Sequence, residues 1–199
     1  MKLNTPNKLT ISRIIMTPIF LFFLMWEGLP HRFIIATVIF SIAAITDAVD
    51  GNLARKNNQI TNFGKLLDPI ADKILTTSAL LAFMVLGLCN IWIVMIVLTR
   101  EFAISSIRMI AASNGVVIPA NYWGKLKTVS QMTFTIVIML LGEFSLYARQ
   151  LNIVPGVTVP YWLTLANISN FLLWITAILT VISGVIYIKD SKDVIDFSK

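Results

Sequence analysis

Residues 32–87 read RFIIATVIFSIAAITDAVDGNLARKNNQITNFGKLLDPIADKILTTSALLAFMVLG. Two apolar runs flank a short hydrophilic centre that carries four aspartates, Asp47, Asp50, Asp68 and Asp72. An apolar helix crosses the hydrocarbon core of a bilayer in about 20 residues, and each run reaches that length together with its adjoining acidic turns, over residues 32–53 and 66–87. The stretch therefore reads as two membrane-crossing helices joined by a charged turn.

Working outward, four more apolar segments follow the same rule. The six expected spans cover residues 9–26, 32–53, 66–87, 91–112, 123–145 and 161–188. Composition agrees, since 57% of the 199 residues are hydrophobic and only 13% are charged. The mean hydropathy is +0.81. A 22.2 kDa soluble sphere has too little interior to hide so much apolar surface. An ordinary soluble domain, a disordered chain and a fibrous repeat are thereby excluded. The first span is expected to remain in the mature protein and not to act as a cleavable leader, because its apolar run has no A-x-A-like site and the next span follows within a few residues. One membrane domain is expected to cover residues 1–199.

The net charge of +6 calls for a membrane explanation before a nucleic-acid one, because cytoplasmic flanks of membrane spans collect Lys and Arg. With the amino terminus inside, thirteen basic residues fall on or near the cytoplasmic side. They are Lys2, Lys8, Arg13, Arg55, Lys56, Lys65, Lys73, Arg108, Lys125, Lys127, Lys189, Lys192 and Lys199. Only Arg32 and Arg149 fall outside, and Arg100 is mid-span. Six spans return the carboxy terminus to the cytoplasm, so the expected fold is an all-α, polytopic bundle with both termini cytoplasmic. Trp26, Trp92, Tyr147, Tyr161 and Trp162 mark the outer boundary; Tyr122, Trp123 and Tyr187 mark the inner one. His31 is expected to be a solvated turn residue, and Cys89, a lone cysteine, a small apolar residue at a helix end.

Carboxylates inside a membrane helix are costly, about 2.5 to 3.5 kcal/mol each at mid-bilayer, so four on adjoining helices need positive charge between them. Asp47 and Asp50 are spaced i, i+3, and Asp68 and Asp72 are spaced i, i+4, so each pair lines one helical face. The short intervening loop makes the two helices antiparallel neighbours. Four hard oxygen ligands without His or Cys suit Mg²⁺ or Mn²⁺ rather than Zn²⁺. Such a set can bridge two divalent ions about 3.5 to 4 Å apart, an arrangement used for in-line displacement at phosphorus. Gly51, Ala54 and Gly64 remove side-chain bulk near the acids, by which a substrate approaches the backbone or the helices pack closely. Arg55 adds a forked cation suited to phosphate oxygens. Pro69 allows two readings, a helix that begins there with Asp68 as N-cap, or one that begins near Asn62 and bends at the proline.

The pattern DxxDGxxARx8GxxxDxxxD, filled by Asp47, Asp50, Gly51, Ala54, Arg55, Gly64, Asp68 and Asp72, resembles the signature of the CDP-alcohol phosphatidyltransferase family without departure. The six-span outline extends the resemblance to most of the chain. It implies a CDP-linked lipid donor, CDP-diacylglycerol, whose phosphatidyl group passes to an alcohol with release of CMP. It further implies two divalent cations on the four aspartates, Asp72 as general base, and a CDP pocket shaped by Gly51, Ala54, Arg55 and Gly64. A homodimer is likewise implied, while the charge bias puts the site on the cytoplasmic side of a cell membrane.

The acceptor is read from the remaining cations. Arg100 and Arg108 lie about 80° apart around the fourth span and about 12 Å along it, so both can face one cavity. Lys125 and Lys127 open the fifth span, and Glu101 neutralises one of these charges. The surplus suits a phosphorylated acceptor such as glycerol 3-phosphate or inositol phosphate, and not choline or ethanolamine. The segments Thr99–Arg108, Gly124–Gln131 and Pro6–Arg13 are similar to those of bacterial family members that make phosphatidylglycerol phosphate, which implies glycerol 3-phosphate. In the last of these, Asn7 and Thr10 are candidate nucleotide contacts, against a plain helix start. Phosphatidylglycerol, serine or inositol phosphate are the alternative acceptors. A divalent-cation transporter is the alternative from another class, but it would place its ligands near the midplane on broken helices, with internal repeats that are not seen here.

Overall fold

A computed structural model describes residues 5–56, 62–113, 121–150 and 164–190; the side chains of residues 5–9, 47–56, 62–69, 72, 113, 149 and 150 lie outside that description. The described residues form six helices and no strand: α1 (Thr5–Met25), α2 (Arg32–Lys56), α3 (Asn62–Val85), α4 (Ile91–Ser113), α5 (Tyr122–Gln150) and α6 (Leu165–Asp190). Each expected span thus has its helix. Tyr122–Ala148 and Leu165–Asp190 are long and apolar enough to cross a membrane, while Thr10–Met25, Arg32–Thr46 and Lys73–Val85 are shorter apolar runs. The fourth helix carries Arg100, Glu101 and Arg108 within its apolar length.

Local chemistry sets the boundaries. Gly87 ends α3 with φ +72°, where a residue without Cβ is favoured. The Leu88 N–H reaches the Phe83 carbonyl at 2.8 Å and the Gly87 N–H reaches Met84 at 3.1 Å, a Schellman closure. Asn90 then caps α4, its Oδ1 accepting from the Trp92 N–H at 3.0 Å. Asn121 caps α5 in the same way, accepting from the Gly124 N–H at 2.8 Å. Of the two readings of Pro69, the longer helix holds. The third helix begins at Asn62 and continues through the proline, so Asp68 is not its N-cap.

The two ends of the bundle follow from side-chain bonds. His31 and Phe33, at the start of α2, meet Glu143 and Gly142, late in α5. Lys73, midway along α3, meets Glu101 and Ser105 near the middle of α4. Fourth and sixth helices run parallel, since Ser169 meets Leu88 near their starts and Arg108 meets Tyr187 near their ends. One end therefore gathers the close of α2, the opening of α3, the close of α4, the opening of α5 and the close of α6. That is the end bearing the aspartate pattern.

The opposite half is a close-packed apolar core, including Phe20, Leu24, Phe40, Phe83, Ile93, Ile138 and Leu173. Toward the aspartate end the interior turns polar, with Thr10, Arg13, Lys127, Gln131, Thr180 and Ser183 all buried. Large apolar side chains such as Ile15, Phe22, Ile45, Met95, Val129 and Phe171 point outward instead. An exterior of this kind belongs against lipid tails, and buried hydroxyls answer it by bonding to helix carbonyls, as Thr37 does to Phe33 at 2.7 Å.

Three expectations are corrected here. Arg13 is not a flanking charge, because it is 1% exposed inside the bundle. Tyr187 is not a boundary anchor, being buried beneath Arg108. His31 is not merely solvated, because its Nδ1 lies 2.7 Å from Glu143 Oε1. Trp26, Trp92, Tyr147, Tyr122 and Trp123 are exposed as expected of interface residues, and Tyr161 and Trp162 lie outside the described residues. Among the described residues, the second and third helices touch only slightly, and each packs chiefly on α1.

Candidate active site

The aspartate pattern occupies the last turns of α2 and the first turns of α3. Asp47, Asp50, Gly51, Ala54 and Arg55 lie on α2, and Gly64, Asp68 and Asp72 on α3. Both helices run without a break through their acidic pairs, so the register puts Asp47 and Asp50, and Asp68 and Asp72, one turn apart. The helices extend further toward one another than the sequence suggests, leaving only residues 57–61 between them. The side chains of these eight residues and of Asn7 lie outside the described part. As a donor set, four carboxylates with neither His nor Cys fit a hard divalent cation.

Thr10 is described and is buried on α1, three residues from Arg13 and therefore on the same face.

The cations form a connected group. Glu101 Oε1 accepts from Arg100 Nη1 at 3.0 Å and from Lys127 Nζ at 2.6 Å, joining α4 to α5. Arg100 Nη2 also donates to Ser183 Oγ on α6 at 2.6 Å. Gly184 gives this arginine its path, and Gly124 lies beside the end of its fork. A Cβ on Gly184 would stand 3.2 Å from Arg100 Cγ, and one on Gly124 would stand 3.6 Å from Nη2. Lys73, the residue after Asp72, reaches across to α4, donating to the Glu101 carbonyl at 3.3 Å and to Ser105 Oγ.

Arg108, two turns beyond Arg100, lies over the Tyr187 ring at 5.2 Å and donates from Nε to the Tyr187 hydroxyl at 3.1 Å. Both arginines thus turn toward α6, as their spacing suggests. Of the four expected acceptor cations, Arg100 and Lys127 come together, Arg108 stands further along α6, and Lys125 is exposed on another flank of α5. Sequence reasoning missed Lys73, Ser183 and Tyr187. Lys73 was legible as the cation beside Asp72, whereas Ser183 and Tyr187 carry no signal until α6 packs against α4.

A family model described as CDP-alcohol phosphatidyltransferase matches residues 3–182. The chain belongs to the CDP-alcohol phosphatidyltransferase family. It is similar to the CDP-diacylglycerol–glycerol-3-phosphate 3-phosphatidyltransferase of Bacillus subtilis, 34% identical over 192 residues that cover 91% of each chain. It is similar to the protein of the same name from Rickettsia typhi, 37% identical over 192 residues that cover 95% of this chain and 97% of that one. A probable phosphatidylglycerophosphate synthase of Mycobacterium tuberculosis is 43% identical over 130 residues, 64% of this chain and 62% of its own. As a CDP-alcohol phosphatidyltransferase, the chain has its family pattern and its cation group at the same end of one bundle.

Proposed function

We propose that the chain transfers the phosphatidyl group of CDP-diacylglycerol to sn-glycerol 3-phosphate, giving phosphatidylglycerol phosphate and CMP. The observation that carries this reading is the placement of the Asp/Gly/Ala/Arg pattern and the Arg100–Glu101–Lys127 group at one end of the bundle. The names of the relatives aligned over nearly their whole length support it.

Asp47, Asp50, Asp68 and Asp72 would hold two divalent cations, Mg²⁺ or Mn²⁺. When bound, such ions offset the charge on the donor's diphosphate and on the oxygen that leaves with CMP. Gly51, Ala54, Arg55 and Gly64, with Asn7 and Thr10 of α1, form the pocket for the CDP part. Arg100, Arg108, Lys125 and Lys127 draw the acceptor's phosphate toward α4 and α5. Asp72 takes the proton from the acceptor's 1-hydroxyl as that oxygen bonds to the lipid-side phosphorus. The bond from this phosphorus to the bridging oxygen breaks, and CMP departs with the electron pair. Positioning and charge stabilisation supply most of the acceleration in such a transfer, with base catalysis adding on the order of 10² to 10⁴ fold.

The whole chain, residues 1–199, acts as one membrane domain of six spans, with both termini and the site on the cytoplasmic side of the cell membrane. Two copies pair as a homodimer among the membrane lipids, and no nucleic acid takes part.

In detergent, the purified chain is expected to release CMP from CDP-diacylglycerol when given glycerol 3-phosphate with Mg²⁺ or Mn²⁺, and to stop on chelation. Phosphatidylglycerol, serine and inositol phosphate are tried singly as competing acceptors; turnover with one of these but not with glycerol 3-phosphate overturns the reading. Asp72→Asn is expected to abolish turnover while donor binding persists, and near-normal turnover refutes its role as base.

A further inference from the structure

Fourth and fifth helices do not pack on one another among the described residues; each packs on α6 instead. What spans the gap between them is a carboxylate. Glu101, on α4, holds Lys127 of α5 and its own neighbour Arg100 through a single oxygen. The Arg100 fork is fixed at its other end by Ser183, and its stem passes close over Gly184. Its Nε is buried with no hydrogen-bond partner. Lys73 adds a third cation by bonding to the Glu101 backbone carbonyl.

We propose that Glu101 is a positioning residue that sets Arg100 and Lys127 as a preformed pair of donors for the phosphate of the acceptor. The inference rests on the reading that the acceptor is glycerol 3-phosphate. Two cations held this close repel each other, and each sits on a long side chain with several rotamers. The shared carboxylate oxygen offsets that repulsion and removes the rotamer freedom before the substrate arrives, so the acceptor binds without having to order the pair. Arg100 still has N–H groups beyond the two bonded to Glu101 and Ser183, because a guanidinium carries five. A carboxylate one residue along the helix thus shapes the anion site without touching the anion.

The test is Glu101→Gln, which keeps the size and removes the charge, assayed by CMP release with each substrate varied in turn. The KM for glycerol 3-phosphate is expected to rise about tenfold or more, with kcat within about threefold and the KM for CDP-diacylglycerol unchanged, the pattern of lost binding and not of lost chemistry. Glu101→Asp keeps the charge one methylene short and is expected to raise the same KM less. A purely structural role lowers the folded fraction and hence the apparent kcat alone; that outcome, or an unchanged acceptor KM, overturns the proposal. Should the Gln variant fail to fold, the Asp variant decides, and an unchanged acceptor KM there overturns it equally. Wild-type chain that turns over no glycerol 3-phosphate fails the reading of function itself, and is seen before any variant is made.

Discussion

Cys89 sits in the turn between α3 and α4, buried, its thiol donating to the Asn90 carbonyl at 3.5 Å. Burial pushes that thiol up from 9.0 to about 12. The reactive form is the thiolate, so Cys89 is expected to resist maleimide at pH 8 in the folded chain and to be labelled on denaturation. Below pH 9 the thiol is protonated in both states; as pH rises from about 9 toward 12 the unfolded chain loses the proton and the folded chain does not, so the folded state loses stability over that window. Rapid labelling of the native protein at pH 8 would contradict the buried placement. At the same scale, the sequence identified the acids of the site by their spacing, and it identified Glu101 as a counter-charge. It could not say that Glu101 binds two cations through one oxygen, because one of them, Lys127, lies 26 residues away on another helix.

Among the elements, α2 and α5 meet closely where Phe33 covers Gly142. A Cβ there would come within 2.9 Å of the Phe33 ring. Gly142→Ala is therefore expected to cost about 1–3 kcal/mol through overpacking, even though alanine is the better helix former. A lowered thermal midpoint in detergent checks this, and a raised one would mean that the ring moves aside freely. The helices themselves were legible from hydropathy, and their ends from chemistry such as the Gly87–Asn90 stretch that closes α3 and opens α4. Their partners were not. A short link between α2 and α3 suggested direct neighbours, and among the described residues both also lean on α1, whose buried face includes Thr10, Arg13, Thr17, Phe20 and Leu24. Link length limits how far apart two helix ends can stand, but side-chain fit decides which faces meet.

For the whole molecule, the arrangement of an apolar exterior, an apolar core at one end and a polar interior at the other divides the labour of the bundle. One half holds the helices together, and the other holds charge. The proposed orientation makes the polar end cytoplasmic. Single cysteines at Glu27 and Lys125, both exposed and at opposite ends, test it against the quiet background of Cys89. A membrane-impermeant maleimide is expected to label Glu27→Cys on intact cells, and Lys125→Cys only after permeabilisation; the reverse pattern would invert the bundle.

By itself, the sequence determined the helical class, the six segments and the acidic pattern, because hydropathy and i, i+3 or i, i+4 spacing are local properties that a single helix already expresses. Tertiary structure alone decided that Arg13 and Tyr187 are interior, that His31 has Glu143 as its partner, and that α4 and α5 are joined through Glu101. Each of these is a meeting of charges or rings from different helices, and no local pattern encodes which helix arrives at which face.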